Sequence, residues 1–208
     1  MGVSFFKARV EGVSALLVHN IRLADPTDPL TRAISEIHGI SQKKRTTEDD
    51  VKLRELSWKA GLYYDDDIGP FVPDKWIEGV IREGAKKVKK ALSKSTVAGV
   101  IMVEEKAPLI YDGPRGIDDL YSLTANGLFY DWRPVGLQNG KIKVMRIRPR
   151  FNPPWGCEFT LRIFTDVVNP TDIEKSLIQG GSLCGIGDYK PKYGLFTVKE
   201  FKEVKKAA

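Results

Sequence analysis

Histidine and cysteine are scarce in this chain: two of each among 208 residues, His19 and His38, Cys157 and Cys184. Two cysteines so far apart supply neither a disulfide framework nor the paired spacing of a zinc site. With only two histidines, set far from the cysteines, proximity in sequence points to no four-ligand His/Cys metal centre. Long apolar runs are missing as well. No stretch approaches the ~20 apolar residues that span a bilayer. The opening Met1-Gly-Val-Ser-Phe-Phe-Lys7 has no apolar core and no cleavage site of a secretory leader. The expectation is a cytoplasmic protein. Neither a P-loop nor a nucleophile elbow is present. No base stands beside Cys157 or Cys184, which argues against a thiol nucleophile. No cofactor and no resident metal are implied.

What is present is core material and positive charge. Hydrophobic residues make up 42 % and aromatics 10 % of the chain, enough to bury a core and too much for a disordered segment. The length fits one elaborated domain over residues 1–208. Net charge is +6, which suits a polyanionic partner without demanding one. Lys and Arg concentrate at 75–94, 141–150 and 190–206, while Asp clusters at 49–50, 65–67 and 118–119.

Residues 3–19 are rich in Val, Leu and Phe and read as a first strand, with Gly12 as the place for a bend. Helices are expected over 29–38, ended by Gly39, and from Thr47, paired with Asp50, to Ala60. Tyr63 to Pro70 is a loop or short hairpin. The clearest helix spans 74–94, with Trp76, Ile77, Val80, Ile81, Ala85, Val88 and Leu92 on one face. Strands follow at 97–103 and 108–111. Strands 129–137 and 141–151 are joined by Gln138-Asn-Gly140, a hairpin signal. Another strand covers 157–168, a helix opens at Pro170 and ends at Gly180-Gly181, and 195–201 is the last strand. The simplified order gives an α+β fold: a ferredoxin-like, RRM-like βαββαβ core with an inserted long β-hairpin and extra helices.

Two segments carry candidate chemistry. Lys141-Ile-Lys-Val-Met-Arg-Ile-Arg-Pro-Arg150 interleaves cations with apolar residues. Lys141 and Lys143 share one strand face; Arg146, Arg148 and Arg150 have the other parity. A bulge near Met145 would gather all five on one side; without it they point apart. Five cations with no carboxylate between them favour an anion, against the plainer reading of an exposed sheet face. Trp132 and Trp155, which flank the hairpin, read as packing residues. Gly185-Ile-Gly-Asp-Tyr-Lys-Pro-Lys-Tyr-Gly194 is a glycine-rich loop. Its glycines let a backbone approach a ligand, Lys190 and Lys192 meet phosphates, and Tyr189 or Tyr193 offers a flat face to a base. Lys86, Lys87 and Lys90 are either a secondary contact or a solvated helix face.

A family resemblance rests on three places: Leu16-Leu-Val-His-Asn20 closing the first strand, Pro70-Phe-Val-Pro-Asp-Lys-Trp-Ile-Glu-Gly-Val-Ile-Arg82 leading into the main helix, and the loop from Gly185 to Phe196. These resemble the RAMP superfamily, the RNA-binding proteins of CRISPR systems. The whole chain also looks like a group of small bacteriophage proteins sharing such a loop. Lys75 and Trp76 stand where the family carries a pair of small residues. The resemblance implies backbone-led, sequence-tolerant binding of single-stranded nucleic acid, RNA favoured over DNA, by a non-catalytic protein, with side-by-side subunits as a homo-oligomer. Two rival readings follow. One is a viral inhibitor or decoy that binds a CRISPR complex through protein contacts. The other is a metal-independent endoribonuclease using His19, although a lone histidine is more often structural. Asp65, Asp66 and Asp67 have the chemistry for Mg²⁺ but are more simply a solvated loop.

Overall fold

The computed structural model describes residues 2–41, 43–88, 93–103, 106–137 and 142–205. The chain opens with β1 (Val3–Gly12) and the short β2 (Leu16–Leu17), then α1 (Pro29–Gly39) and α2 (Thr47–Gly61). A small hairpin, β3 (Tyr64–Asp65) and β4 (Gly69–Val72), leads into α3 (Asp74–Ala85), α4 (Lys94–Val100), β5 (Ile101–Val103), β6 (Ala107–Ile110) and α5 (Ile117–Ser122). The long pair β7 (Tyr130–Leu137) and β8 (Ile142–Phe151) follows, then β9 (Gly156–Phe164), α6 (Pro170–Leu183) and β10 (Phe196–Val204).

The main sheet runs β10-β1-β9-β6-β4-β3, with β5 also beside β9. Reduced to β1, α3, β5 with β6, β9, α6 and β10, this is the βαββαβ core of a ferredoxin-like fold. The strands β7 and β8 join β2 in a second sheet of three. That sheet is the inserted hairpin expected from the sequence. Alternation explains the core. Ala8 and Val10 of β1 and Phe159, Leu161 and Ile163 of β9 are buried against Ile77, Val80 and Ile81 of α3 and Ile173 and Leu177 of α6. Each Val, Leu, Ile or Phe among them contributes about 1.5–3 kcal/mol on burial.

Glycine sets how closely the two main helices approach. A Cβ on Gly84 would stand 1.9 Å from the Ser176 carbonyl oxygen, and one on Gly180 would stand 2.3 Å from that of Val80. These backbone contacts require glycine at both positions. They also correct one expectation: Gly180 and Gly181 do not end α6, which continues to Leu183.

Other boundaries differ for local reasons. The α2 cap is Thr46, not Thr47: its hydroxyl accepts from Asp49 N (3.2 Å), and the Asp49 carboxylate accepts from Thr46 N (2.9 Å). Helix α3 stops at Ala85 rather than running to residue 94; Lys87 N bonds back to Gly84 O at 2.8 Å in a tightened last turn. The run of like-charged lysines beyond it disfavours a continued helix. The expected strand 97–103 begins only at Ile101. Before it, the Ser93 hydroxyl caps α4 by accepting from Thr96 N at 3.0 Å. Strand β9 ends at Phe164, where Val167 N and Val168 N both turn back to its carbonyl. Helix α5 and the 3-10 turn Leu123–Asn126 were not among the expected elements. Among the described residues, no helix is long and apolar enough to cross a membrane.

Candidate nucleic-acid interface

Strands β7 and β8 pair in unbroken register from Tyr130↔Pro149 to Leu137↔Ile142. No bulge turns the cations to one side. Lys143 therefore points away from Arg146, Arg148 and Arg150, and Lys141 lies outside the described residues. Asp131 stands opposite Arg148, and Arg133 opposite Arg146. These four form one face of the hairpin base, and the glycine-rich loop lies against it.

The loop is fastened by backbone bonds. Asp188 N donates to Leu17 O (2.9 Å), Gly194 N to Ala15 O (2.8 Å) and Ile186 N to Gly194 O (3.0 Å). Gly185, Gly187 and Gly194 have φ of 71°, 81° and 74°, a region that favours glycine. A Cβ on Gly194 would fall 1.8 Å from the Ile186 carbonyl oxygen. Tyr189 also adopts a positive φ, 59°. A bulky residue held in this region marks a place where surrounding contacts override local preference.

Side chains then lock loop to hairpin. Arg148 is 1 % exposed, and its Nε donates to Asp188 Oδ2 at 2.6 Å. Its guanidinium carbon lies 4.9 Å from the Tyr189 ring centroid. Arg133 grips Asp131 with both arms of its guanidinium and donates from Nη2 to the Tyr193 hydroxyl at 2.7 Å. The same guanidinium lies 4.9 Å from the Tyr193 ring and 5.6 Å from that of Tyr189. The Asp131 hydrogen bonds raise the Arg133 pKa still further above its ordinary value.

Cations are left over. Among the described residues, Arg146, Lys190 and Lys192 have no carboxylate at ion-pair distance, and Arg148 Nη1 is buried without an acceptor. Lys190 and Lys192 are exposed, Tyr189 is 38 % exposed, and Tyr193 and Arg146 are half-buried. His19 stands nearby with Nδ1 buried and unpartnered. Burial first, and Arg146 next, lower its pKa, while Asp188 opposes them, so the imidazole is neutral at pH 7.

The other nominated residues are placed elsewhere. Arg150 is turned to Asn152, with Nε–Oδ1 of 3.0 Å. Trp76, at the start of α3, lies 3.5 Å from a Cβ built on Gly187. Lys86 is ten residues further on, about 15 Å along a helix, and is paired with Glu83 at 2.7 Å. Lys87 is exposed at that far end, and Lys90 lies outside the described residues. Trp155 is core, its indole N–H donating to Ser14 O at 2.7 Å. Asp65 accepts from Lys106 and from Asp67 N. Among the described residues no group of three His, Cys, Asp or Glu is placed to hold a metal. Burial pushes the Cys157 thiol up to about 12, leaving it protonated and unreactive.

Three members of this basin lie outside the residues that the sequence nominates: Asp131, Arg133 and Asp188. The signal was Asn139-Gly140. A two-residue turn there fixes Asp131 opposite Arg148 and Arg133 opposite Arg146, the register observed.

No protein-family model matches the sequence, and no curated protein matches it. Solved structures do share its fold. A chain of a Type III-B Cmr-beta structure bound to cognate target RNA superposes with a TM-score of 0.54 at 13 % identity, covering 99 % of this chain and 62 % of that one. The chain thus spans about three-fifths of that protein's length. Cmr6 from Pyrococcus furiosus aligns with a TM-score of 0.38 at 10 % identity, over 95 % of this chain and 99 % of that one, a likeness too weak to carry an argument. What the first likeness shows is the fold: the chain shares the α+β architecture of that Cmr-beta chain.

Proposed function

We propose that this protein holds single-stranded RNA by its sugar-phosphate backbone, without cutting it, in the basin between the glycine-rich loop and the arginine face of the hairpin. The observation that carries the reading is the set of cations left without carboxylates, Arg146, Lys190 and Lys192, beside the exposed ring of Tyr189. Phosphates supply the missing anions and a base stacks on the tyrosine. Arg148 and Arg133 are positioning residues that hold the loop. The non-catalytic reading is supported by the buried, unpartnered Nδ1 of His19 and by the Arg146 charge near it, which disfavours the imidazolium that a general acid needs. The fold likeness to a chain from an RNA-bound Cmr-beta structure favours RNA over DNA and an arrangement of side-by-side subunits.

The test is direct. The purified protein is titrated with labelled single-stranded RNA and DNA of mixed sequence at several salt concentrations, and the RNA is then run on a denaturing gel. Salt-sensitive, sequence-tolerant binding of intact RNA is expected. RNA cut at neutral pH in the presence of EDTA would overturn the non-catalytic reading and favour His19 chemistry. Absence of binding to any oligonucleotide at low salt would overturn the nucleic-acid reading and point to protein partners.

A further inference from the structure

The opposite face of the β7–β8 hairpin borders a cleft that the basin does not use. Strand alternation sends Trp132 and Ile147 away from Arg133 and Arg148. Facing them are Arg54 of α2, Tyr121 of α5 and Thr124 of the 3-10 turn, and with Tyr130 they enclose about 420 Å³. That volume lies in the ~300–1,000 Å³ range of small-ligand sites.

The walls of this cleft are flat. Trp132 is 43 % exposed, whereas Trp58 and Trp155 are buried in the core. The Arg54 guanidinium carbon lies 3.9 Å from the Trp132 ring centroid, so a planar cation is stacked on an indole at the cleft wall. Tyr121 is braced from behind by Trp58, with ring centroids 5.5 Å apart. Glu55 and Asp118, on the same two helices, are both held by Lys59, at 2.5 and 2.6 Å. Lys59 offsets one of the two negative charges and Arg54 the other, so the group of four is neutral overall. A guanidinium on an aromatic ring presents a plane on which a nucleobase stacks, and the Thr124 hydroxyl offers a hydrogen bond to a base edge.

We propose that this cleft takes one planar nucleobase, stacked against the Arg54–Trp132 pair. The base comes either from a free nucleotide or from a strand; the strand-borne case rests on the RNA-holding reading, and the free-nucleotide case does not.

Two measurements decide it. Adenosine 5′-monophosphate is titrated while tryptophan emission is followed. Saturable quenching is expected in the wild type and in Lys190→Ala/Lys192→Ala. Arg54→Ala should weaken it by about 5- to 150-fold, the range for loss of one stacking partner. Arg54→Lys, which keeps the charge and loses the plane, should weaken it too; wild-type affinity in that variant would sink the stacking geometry. Second, single-stranded RNA carrying 5-iodouridine is cross-linked by light and the modified peptides are mapped. Cross-links at 130–132 assign a strand-borne base. Nucleotide quenching with cross-links only at the loop assigns a free nucleotide. Quenching in a protein that binds no RNA leaves the cleft standing and removes the RNA-holding reading. No saturable quenching and no cross-link at 121–132 overturns the cleft, even if the loop binds RNA.

Discussion

Two surfaces of this molecule are rich in lysine and arginine, and they are built differently. On the open face of the main sheet the lysines and arginines of β1 and β10 are met from a neighbouring strand or along their own. Lys7 reaches Glu158 at 2.6 Å, Arg9 the same carboxylate at 3.8 Å, and Lys202 reaches Glu200 at 2.6 Å. In the basin the two carboxylates, Asp131 and Asp188, are already taken by Arg133 and Arg148. Arg146, Lys190 and Lys192 are the surplus. Charge density alone does not separate the two surfaces; the pairing of the charges does. A sheet face whose cations are held by carboxylates has less free charge to offer a phosphate chain than the basin has.

The two surfaces differ most at Arg148. Arg148→Ala strands Asp188 and releases the loop. Removing one partner of a buried pair costs about 3–5 kcal/mol, with the lower end expected here because Asp188 is 31 % exposed. Arg9→Ala, in the exposed counterpart, should stay within about 1 kcal/mol. Urea unfolding measures both, and equal losses would erase the distinction. Gly194→Ala comes next. Its new Cβ meets the Ile186 carbonyl at a backbone φ of 74°, for about 2–4 kcal/mol. Lys190→Ala with Lys192→Ala should leave stability unchanged and lower the log–log salt slope of RNA binding by about 1.4, since each single-strand phosphate contact contributes about 0.7. Lys7→Ala with Arg9→Ala should leave that slope alone. A slope that falls with the sheet pair and not with the loop pair would move the interface to the sheet.

Much of this was legible in the sequence, and the gaps have physical causes. Strand alternation in β1 and β9, the apolar face of α3 and the helix start at Pro170 give the ferredoxin-like order, and the Asn-Gly signal gives the inserted hairpin, because short-range patterning controls each of them. The basin was half legible. Lys190, Lys192, Tyr189 and the three glycines mark out a candidate contact loop, but composition cannot show that Arg148 turns inward. That depends on Asp188, forty residues away, meeting it across a gap closed by tertiary packing. Gly180 and Gly181 misled for the same reason. Locally they end a helix; against α3 and Phe196 they let backbones touch. Trp132 reads as hairpin packing until Arg54 is seen stacked on it.

His19 gives a weaker effect, readable by its sign. His19 borders the basin, and burial and Arg146 lower its pKa. The unfolded chain therefore takes up its proton at the ordinary histidine value near 6.5, while the folded chain needs more acid. In that window the unfolded state binds more protons, so stability rises with pH and falls as the solution is acidified below about 6.5. Urea midpoints should be lower at pH 5.5 than at pH 7.5, and His19→Gln should flatten the difference. RNA binding should run the other way. A phosphate beside Arg146 favours the protonated imidazole, so binding takes up a proton and tightens as pH falls through the same window. Parallel slopes, or an RNA affinity untouched by His19→Gln, would place the phosphates away from Arg146 and confine the contact to the loop lysines.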